Sequence, residues 1–406
     1  MINAGDTAFV IISGALVCLM TPGLAFFYGG LVRRKNVLTI MMQSFISMGV
    51  VTAIWILGGF SLAFGHDAFA GLIGGFQYFG LAGVGMEPNP SYGPTIPFLT
   101  FFGYQEMFAV ITPALITGAF ADRVTFKAYL KFLVFWSIFV YIPFAHWIWG
   151  GGFLQQWGVL DFGGGMVVHG AAGFSALASI YVIKKRAFVP GEEEKPSNIP
   201  LIAIGLGLLW FGWLGDNPAN ALAANGVAAQ AFVNTFIAGG CAMVVWMFTD
   251  RVRTGKVSMV GSLTGVLAGL VAVTPCAGFV PTWAAVLIAL AAGFVCYGAL
   301  LFRKKRGWDD SLDVWGVHGV GGLFGTLMLG VFAFGAVNGA SGLLDGNPKQ
   351  LALQLAAVAI TLTYTFVVTW VIFKVIDMVG HTSVAEHVQA SGLDEALHGE
   401  TAYTFD

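Results

Sequence analysis

Two histidines in strongly apolar stretches are the residues of this chain best placed to do chemistry. His169 follows Asp161 by eight residues, and His318 follows Asp313 by five. A neutral imidazole has one hydrogen-bond donor and one acceptor, so two imidazoles in contact can share one proton and pass another along. Ionisable groups at membrane depth are costly and usually mark a conduction path or a proton relay. The alternative is two separately satisfied buried histidines.

The composition places these histidines in lipid. The 406 residues are 57% hydrophobic and 10% charged, whereas about a quarter of the residues of a soluble protein are charged. The 56 glycines suit closely packed membrane helices. A net charge of −2 gives no reason to expect nucleic acid as a partner. The four cysteines lack C-x-x-C spacing and indicate neither a disulfide framework nor a metal site.

Eleven segments are apolar and long enough to cross a bilayer, which takes about 20 helical residues. Basic residues gather in every second connection, as the positive-inside rule requires of cytoplasmic loops, and only Lys349 lies on the opposite side. We therefore predict an all-α polytopic protein of a prokaryotic plasma membrane, with the N-terminus outside and the C-terminus inside. The predicted spans are 8–31, 38–64, 97–120, 127–149, 162–183, 199–219, 226–249, 257–275, 281–302, 313–335 and 351–376.

The predicted helices divide into two halves of opposite topology. Helices 1–5 begin outside and helices 6–10 begin inside, which is what an inverted repeat requires, and such repeats place a site at the midplane. D-F-G-G-G-M-V-V-H-G opens helix 5 and D-V-W-G-V-H-G opens helix 10, so the histidines could meet at the centre. The unequal aspartate–histidine spacings do not fit this symmetry. The predicted units are a membrane domain at 1–379, with repeats at 8–186 and 199–306 plus 313–335, a polar linker at 191–198, and a cytoplasmic tail at 380–406.

Long sequence blocks in a consistent order resemble the ammonium transporter family (Amt/Mep/Rh) over nearly the whole chain. The resemblance implies homotrimers of eleven-helix protomers in the lipid bilayer, each with a narrow hydrophobic pore for ammonium and no cofactor. The blocks are T-P-G-L-A-F-F-Y-G-G at 21–30, F-V-Y-I-P-F-A-H-W-I-W-G-G-G at 139–152, D-F-G-G-G-M-V-V-H at 161–169, A-L-A-A-N-G-V-A-A-Q-A-F-V-N-T at 221–235, D-V-W-G-V-H-G at 313–319 and G-L-D-E-A-L-H-G-E-T-A-Y at 392–403.

The resemblance also assigns roles around an outer site. It makes Trp149 the aromatic wall that recruits the cation, although an interfacial belt tryptophan is the alternative from residues alone. It makes Phe108 one of two phenylalanines that close the pore, where position alone would indicate a core residue. Tyr141 would support the vestibule or serve in ordinary helix packing. Asp161 would fix backbone carbonyls near the outer site, cap helix 5, or do both, and Asp313 is expected to cap helix 10.

The same comparison marks His169 and His318 as the twin histidines of the pore, and it also exposes departures. Within 210–221, Asp216 replaces the second pore-closing phenylalanine and Asn220 replaces a serine of the outer site. In helix 3, Glu106 stands where the family has a small or apolar residue. Tyr104 replaces a phenylalanine and is expected to be among the substrate-binding residues.

These departures change what the pore can stabilise. A carboxylate at Asp216 would stabilise the cation inside the pore and so create a deep energy well. The apolar pore of the family has no such well. If Glu106 and Asp216 face one lumen, they would hold a cation together or share one proton. The alternative is that Asp216 caps a broken helix end and Glu106 hydrogen-bonds to a neighbouring helix.

Two functions follow from the sequence. The first is an ammonium transporter or channel, and the alternative is an ammonium sensor with little or no conduction that signals through its tail. In the family the 392–400 motif couples protomers and helps to engage the PII signal protein, but the preceding tail is less charged than is typical. An enzyme is not expected, because the chain has neither a glycine-rich phosphate loop nor a nucleophile motif.

Overall fold

The computed structural model describes residues 1–187 and 195–404, and within them eleven apolar helices form one bundle. Ten are long and apolar enough to span a membrane, and the eleventh, α8, is a shorter apolar helix. The predicted all-α polytopic fold is confirmed, while the sidedness of the termini stays a prediction. The helices are α1 Ala4–Leu31, α2 Arg34–Phe64, α3 Phe98–Ala119, α4 Phe126–Trp157, α5 Gly165–Val182, α6 Ile199–Ala219, α7 Gly226–Thr254, α8 Met259–Val273, α9 Thr282–Arg306, α10 Trp315–Phe332 and α11 Pro348–Met378.

The connections carry only short elements. A two-stranded antiparallel hairpin, β1 (Pro88–Asn89) and β2 (Gly93–Pro97), closes the long α2–α3 loop at the end predicted to be outside. Of the predicted 191–198 linker, residues 191–194 lie outside the described part of the chain. Short helical turns occupy Phe79–Leu81, Gly335–Asn338, Leu343–Asp345, Glu386–Ser391 and Leu393–His398.

Glycines bring α1 and α6, the first helices of the two halves, into backbone contact. A Cβ atom on Gly205 of α6 would lie 2.2 Å from the backbone nitrogen of Phe27 in α1. One on Gly30 would lie 2.5 Å from the Ile202 side chain. Small residues permit such close approach between membrane helices, where van der Waals packing and not water exclusion drives association. The two halves are therefore joined along a tight α1–α6 seam.

The tail is held against the face predicted to be inside by its acidic motif and not by hydrophobic packing alone. The Asp394 carboxylate accepts hydrogen bonds from the backbone N–H groups of Leu38 (3.0 Å) and Thr39 (2.8 Å) at the start of α2. The backbone N–H of Leu393 donates to the Asn36 side chain at 2.8 Å. A carboxylate at a helix N-terminus is favourable because it satisfies N–H groups that lack partners in the helix.

Buried ion pairs tie the inner connections together. Arg123 has a fully buried side chain and pairs with Asp309. Arg186 binds the same carboxylate at 2.7 Å, and Arg33 binds Asp122 at 3.1 Å. These pairs join the loops after α1, α3, α5 and α9 into one layer.

Asp309→Asn is expected to destabilise the protein by about 3 kcal/mol, because it leaves the Arg123 guanidinium buried without its counter-charge. Burial acts to raise the pKa of Asp309, but Arg123 and Arg186 outweigh it, so the pKa lies below its usual range. The stabilisation is therefore present above the unfolded-state pKa, about 3.9, and is lost as the pH falls through the folded value. Thermal unfolding in detergent measures both effects. Asp377→Asn, at an exposed position, is the control, and equal unfolding temperatures for the two variants would contradict the prediction.

Candidate functional site

The structure places His169 and His318 in direct contact at the centre of the bundle. Their Nδ1 atoms are 3.2 Å apart, and both side chains are buried. Because both nitrogens face each other, one must donate and the other accept, so the neutral pair shares one proton across the contact. Each histidine lies in a π-helical turn, Gly165–Gly170 in α5 and Trp315–Gly319 in α10. Such turns are frequent at functional sites.

Glycines set the crossing of α5 and α10 that makes this contact. Both helices carry H-G-x-x-G, at 169–173 and 318–322. A Cβ atom on Gly173 would lie 2.1 Å from the Cα atom of Gly319, and one on Gly322 would lie 2.6 Å from the Cβ atom of His169. Larger residues at these positions would separate the helices and therefore the imidazoles. This repeated motif is visible in the sequence but did not enter the prediction of the site.

Asp161 caps α5 and also holds the outer site. Its carboxylate accepts hydrogen bonds from four successive backbone N–H groups, residues 164–167, at 2.6–3.2 Å. Its backbone carbonyl accepts the indole N–H of Trp149 at 2.8 Å. Burial raises the pKa of Asp161 to about 6, while the four N–H donors act in the opposite direction. Both roles considered for this residue, the cap and the fixing of the outer site, are therefore compatible with its geometry.

The cap of α10 is Asp310, and the expectation that Asp313 caps this helix is wrong. Asp310 is fully buried and accepts from the N–H groups of Val314 (3.1 Å) and Trp315 (2.7 Å). Asp313 instead pairs with Arg303 at 2.6 Å. Asp310 precedes His318 by eight residues, the same spacing as Asp161 and His169. The mismatch in spacing therefore disappears, and the two half-sites have matching caps.

An outer cavity of about 480 Å³ lies on the Trp149 side of the histidine pair. Trp149, Asp161 and Asn220 are among the residues that line it. The Asn220 side-chain amide donates to the Asp216 carbonyl at 2.9 Å. With its N–H group engaged there, the Oδ1 atom of Asn220 is the atom left to accept a hydrogen bond from a cation. Aromatic rings from α2, β2–α3 and the hairpin also line the cavity, including Phe64, Tyr92 and Phe101.

Phe108 separates the outer cavity from a small inner one. Its ring centroid lies 5.8 Å from that of Trp149 on the outer side, and Phe108 also lines the inner cavity, which has a volume of about 20 Å³. Tyr104 lies behind this ring at 5.1 Å, and its hydroxyl donates to the backbone carbonyl of Asp216. Tyr104 was predicted to contact substrate, but it lines neither of these two cavities and holds the wall in place.

The inner cavity contains a carboxyl group together with the two imidazoles. Asp216, His169 and His318 all line it. Asp216 is 6% exposed, and its Oδ1 atom has no hydrogen-bond partner. The alternative that Asp216 caps a broken helix end receives no support, because α6 continues past it to Ala219.

Trp213 is a lining residue that the sequence analysis missed. Its ring lies 5.4 Å from the His169 ring, and its N–H donates to the Thr274 hydroxyl at 2.9 Å. The available signal was its spacing, because residues three apart share a helix face and Trp213 is three residues before Asp216. A fixed indole beside His169 limits how that imidazole can turn.

Glu106 and Tyr141 line neither the outer nor the inner cavity. Glu106 hydrogen-bonds to the Thr52 side chain of α2 and lines neither cavity, so the interpretation that it shares a lumen with Asp216 is wrong. The alternative, a hydrogen bond to a neighbouring helix, is what the structure has. Tyr141 is buried against Trp55 and Trp136, with ring centroids 6.1 and 6.4 Å away. Its position agrees with helix packing.

Known proteins of one family match this chain over nearly its whole length. The sequence profile of the Ammonium Transporter Family matches residues 8–403. Ammonium transporter Amt1 of Archaeoglobus fulgidus is 46% identical over 400 residues, which cover 98% of this chain and 99% of the relative. An ammonium transporter of Bacillus subtilis is 44% identical over 402 residues and 98% of each chain.

Solved structures show the same architecture. The crystal structure of Saccharomyces cerevisiae Mep2 superposes with a TM-score of 0.89 at 32% identity, covering 95% of this chain and 88% of that one. A structure described as a sensor Amt protein gives 0.89 at 27% identity, with 97% and 98% covered. From its sequence profile, relatives and fold, the chain belongs to the ammonium transporter family, as a multi-pass protein of the plasma membrane and not an enzyme.

Proposed function

We propose that ammonium enters the outer cavity, is held at Trp149 and Asn220, passes Phe108, and reaches the histidine pair. The contact between His169 and His318 at the end of a narrow apolar cavity carries this proposal. A tryptophan face attracts a desolvated cation by about 2 kcal/mol. Because Phe108 lies between the two cavities, its ring must move for an ion to pass.

The charge of the outer face supports recruitment of a cation. Five acidic residues lie in the predicted outer segments, Asp6, Asp67, Glu87, Asp161 and Asp345, against the single base Lys349. An excess of negative charge around a cleft raises the local cation concentration and the association rate. Recruitment is therefore expected to weaken as salt screens this field.

We infer that Asp216 forms a second, deeper cation site in the inner cavity. Its carboxyl group is buried and its Oδ1 atom lacks a partner, so an entering ammonium ion would supply the missing hydrogen bond and the counter-charge. A site that binds the ion tightly also slows its release. We therefore expect weaker transport than in a relative with phenylalanine at this position.

Paired measurements of binding and current test the proposal. The purified protein is titrated with ammonium by calorimetry, and the same protein in proteoliposomes is examined for ammonium-driven current. Binding together with transport supports the proposed route. Absence of ammonium binding would overturn it, and strong current from the unaltered chain would overturn the role given to Asp216.

An ammonium sensor is the second candidate. Two observations favour it: the acidic residue in the inner cavity, and the similarity to a structure described as a sensor Amt protein. In this case ammonium binds with little or no current, and the tail reports the bound state. Binding without current in the paired measurements would indicate the sensor.

Assembly and tail partners belong to the same proposal. We expect a homotrimer, with the tail as the docking segment for a PII-type or other cytoplasmic signalling protein. The tail contacts of Asp394 with α2 are intramolecular, so a partner that takes this segment must compete with them. Mass measurement of the detergent-solubilised protein tests the trimer.

Binding at the outer site is expected to decline as the pH falls through about 6, the pKa of Asp161. Below this pH the carboxyl group is protonated, its charge no longer attracts the cation, and its contacts with four N–H groups weaken; above it, the charge is present in full. Ammonium itself stays protonated throughout this range. Calorimetric titration between pH 5 and pH 7.5 measures the effect. Asp161→Asn should flatten the profile, and an unaltered profile in that variant would contradict the prediction.

A further inference from the structure

The connection before α5 is held from the side by two glutamines of α11, the helix that lies outside the predicted repeats. Gln354 exchanges two hydrogen bonds with the backbone of Leu160, as a paired residue of an antiparallel ladder does. Its Oε1 atom accepts from the Leu160 N–H at 3.0 Å, and its amide group donates to the Leu160 carbonyl at 2.7 Å. Gln350 donates to the Gly158 carbonyl at 3.0 Å. Gln350 and Gln354 are named the glutamine clamp.

The clamp is buried and keeps its own orientation. Gln354 is fully buried and Gln350 nearly so. The Gln350 amide also donates to the Oε1 atom of Gln354 at 3.3 Å, so each side chain limits how the other can turn. Residues four apart share one face of a helix, and both glutamines therefore face the same connection. A buried amide is favourable only where its donors and acceptors have partners, and here the backbone at 158–160 supplies them.

The clamp acts on the residue directly before Asp161. The Asp161 carbonyl accepts from the Trp149 indole N–H at 2.8 Å, and this bond orients the tryptophan ring. On the other side of Asp161, the Phe162 N–H donates to a backbone carbonyl of the α8–α9 connection at 2.9 Å. Asp161 is therefore fixed between a side-chain contact at Leu160 and a backbone contact at Phe162. The side-chain contact is the one that a substitution can remove.

We propose that Gln354, supported by Gln350, is a positioning residue of the outer ammonium site. Its two bonds with Leu160 set the place of the Asp161 carbonyl, and this carbonyl sets the orientation of the Trp149 ring. A cation–π contact requires the cation to lie over the ring face, so a rotated indole attracts ammonium less strongly. The inference rests on the proposed recruitment of ammonium at Trp149.

Gln354→Met tests the clamp, because methionine has a similar length and volume but no amide group. The substitution leaves the buried N–H and carbonyl of Leu160 without these partners, so the connection has to shift to satisfy them. Ammonium affinity, measured by calorimetry on the purified protein, is expected to fall about tenfold. Gln350→Met leaves both bonds of Leu160 in place and is expected to lower the affinity by less than about threefold.

The pH profile of binding is a readout that general destabilisation would not move. The backbone N–H donors act to lower the pKa of Asp161, which lies at about 6. If the connection is loosened, these bonds weaken, the pKa rises, and the decline in binding moves to higher pH in Gln354→Met. The Cys276 thiol also interacts with Asp161, but burial raises the pKa of this thiol, so it stays neutral throughout the titration.

Thr365→Val is the matched control. Thr365 is an equally buried residue of α11, and its hydroxyl donates to the Thr361 carbonyl of the same helix. The control is expected to keep both the affinity and the pH profile. Hydrogen exchange at the Leu160 amide, followed without ammonium, should be faster in Gln354→Met than in the control, which shows that the connection has been released.

The outcomes separate this inference from the function on which it rests. Weaker binding and a shifted pH profile in Gln354→Met, with neither change in Thr365→Val, would support the positioning role. Faster exchange at Leu160 with unchanged affinity and an unchanged profile would overturn it, and so would equal exchange in the two variants. Absence of ammonium binding by the unaltered protein would overturn the proposed function itself, and the inference with it.

Discussion

Asp216→Ala is expected to weaken ammonium binding at least tenfold. The Asp216 carboxyl group lies in a small buried cavity with two imidazoles, and its Oδ1 atom has no partner. Two unit charges about 4 Å apart attract by about 4 kcal/mol at an effective dielectric constant of 20, and desolvation of the ion takes back part of this gain. The loss of a factor of ten corresponds to about 1.4 kcal/mol, well within that range. Calorimetry on the purified protein measures it.

The matched variants separate the charge of Asp216 from its shape. Asp216→Asn keeps the size and removes the charge, so it should lose affinity as the alanine variant does. Asp216→Phe restores the apolar residue that the resemblance predicts here and should increase ammonium-driven transport about tenfold, because the ion no longer rests in a deep well. Unchanged affinity in the alanine and asparagine variants would remove Asp216 from the site.

The positions of the membrane-spanning helices are the part of this structure that the sequence predicts well. The lipid core requires helices of about 20 apolar residues with all backbone groups satisfied, so hydropathy alone locates them. The predicted 199–219 segment coincides with α6, and the predicted 8–31 segment lies within α1. The differences are at helix ends: the largest is at α4, predicted to end at 149 and found to end at Trp157, and polar residues extend α7 and α9 beyond the apolar core to Thr254 and Arg306.

The rotation of each helix is what the sequence left open. Asp216 and Glu106 were considered for one lumen, but Glu106 faces Thr52 of α2. Hydrophobic periodicity gives little guidance here, because a membrane helix is apolar toward lipid and toward its neighbours alike. The direction in which a buried carboxylate points is then decided by tertiary packing, which a single sequence does not show.

The cap of α10 shows a second limit of prediction from sequence, because the cap depends on the backbone conformation before the helix. Asp313 lies two residues before the helix in the sequence and was therefore expected to cap it. Its backbone is in the left-handed region, with φ of 60°, and its side chain pairs with Arg303. Asp310, three residues earlier, is the one that reaches the free N–H groups. Aligning the two halves at a common spacing of eight residues would have identified it.

His169→Gln and His318→Gln are each expected to reduce ammonium transport at least a hundredfold. Glutamine keeps a donor and an acceptor but does not take up and release a proton near neutral pH, so the shared proton between the Nδ1 atoms is lost. Binding at the outer cavity should change less than threefold, because Trp149 and Asn220 lie on the other side of Phe108. His146→Gln is the control, since His146 is equally buried but bonds to the Ala63 carbonyl at the outer end of α4.

The double variant decides whether the two histidines act as one unit. Groups that work together lose nearly all of their effect when either is removed, so the double variant should transport no more slowly than the slower single variant. Two independently contributing residues would instead multiply their losses. Uptake into proteoliposomes at matched protein density measures all four proteins. Transport that survives in both single variants would show that the contact between the imidazoles holds α5 against α10 without carrying the proton.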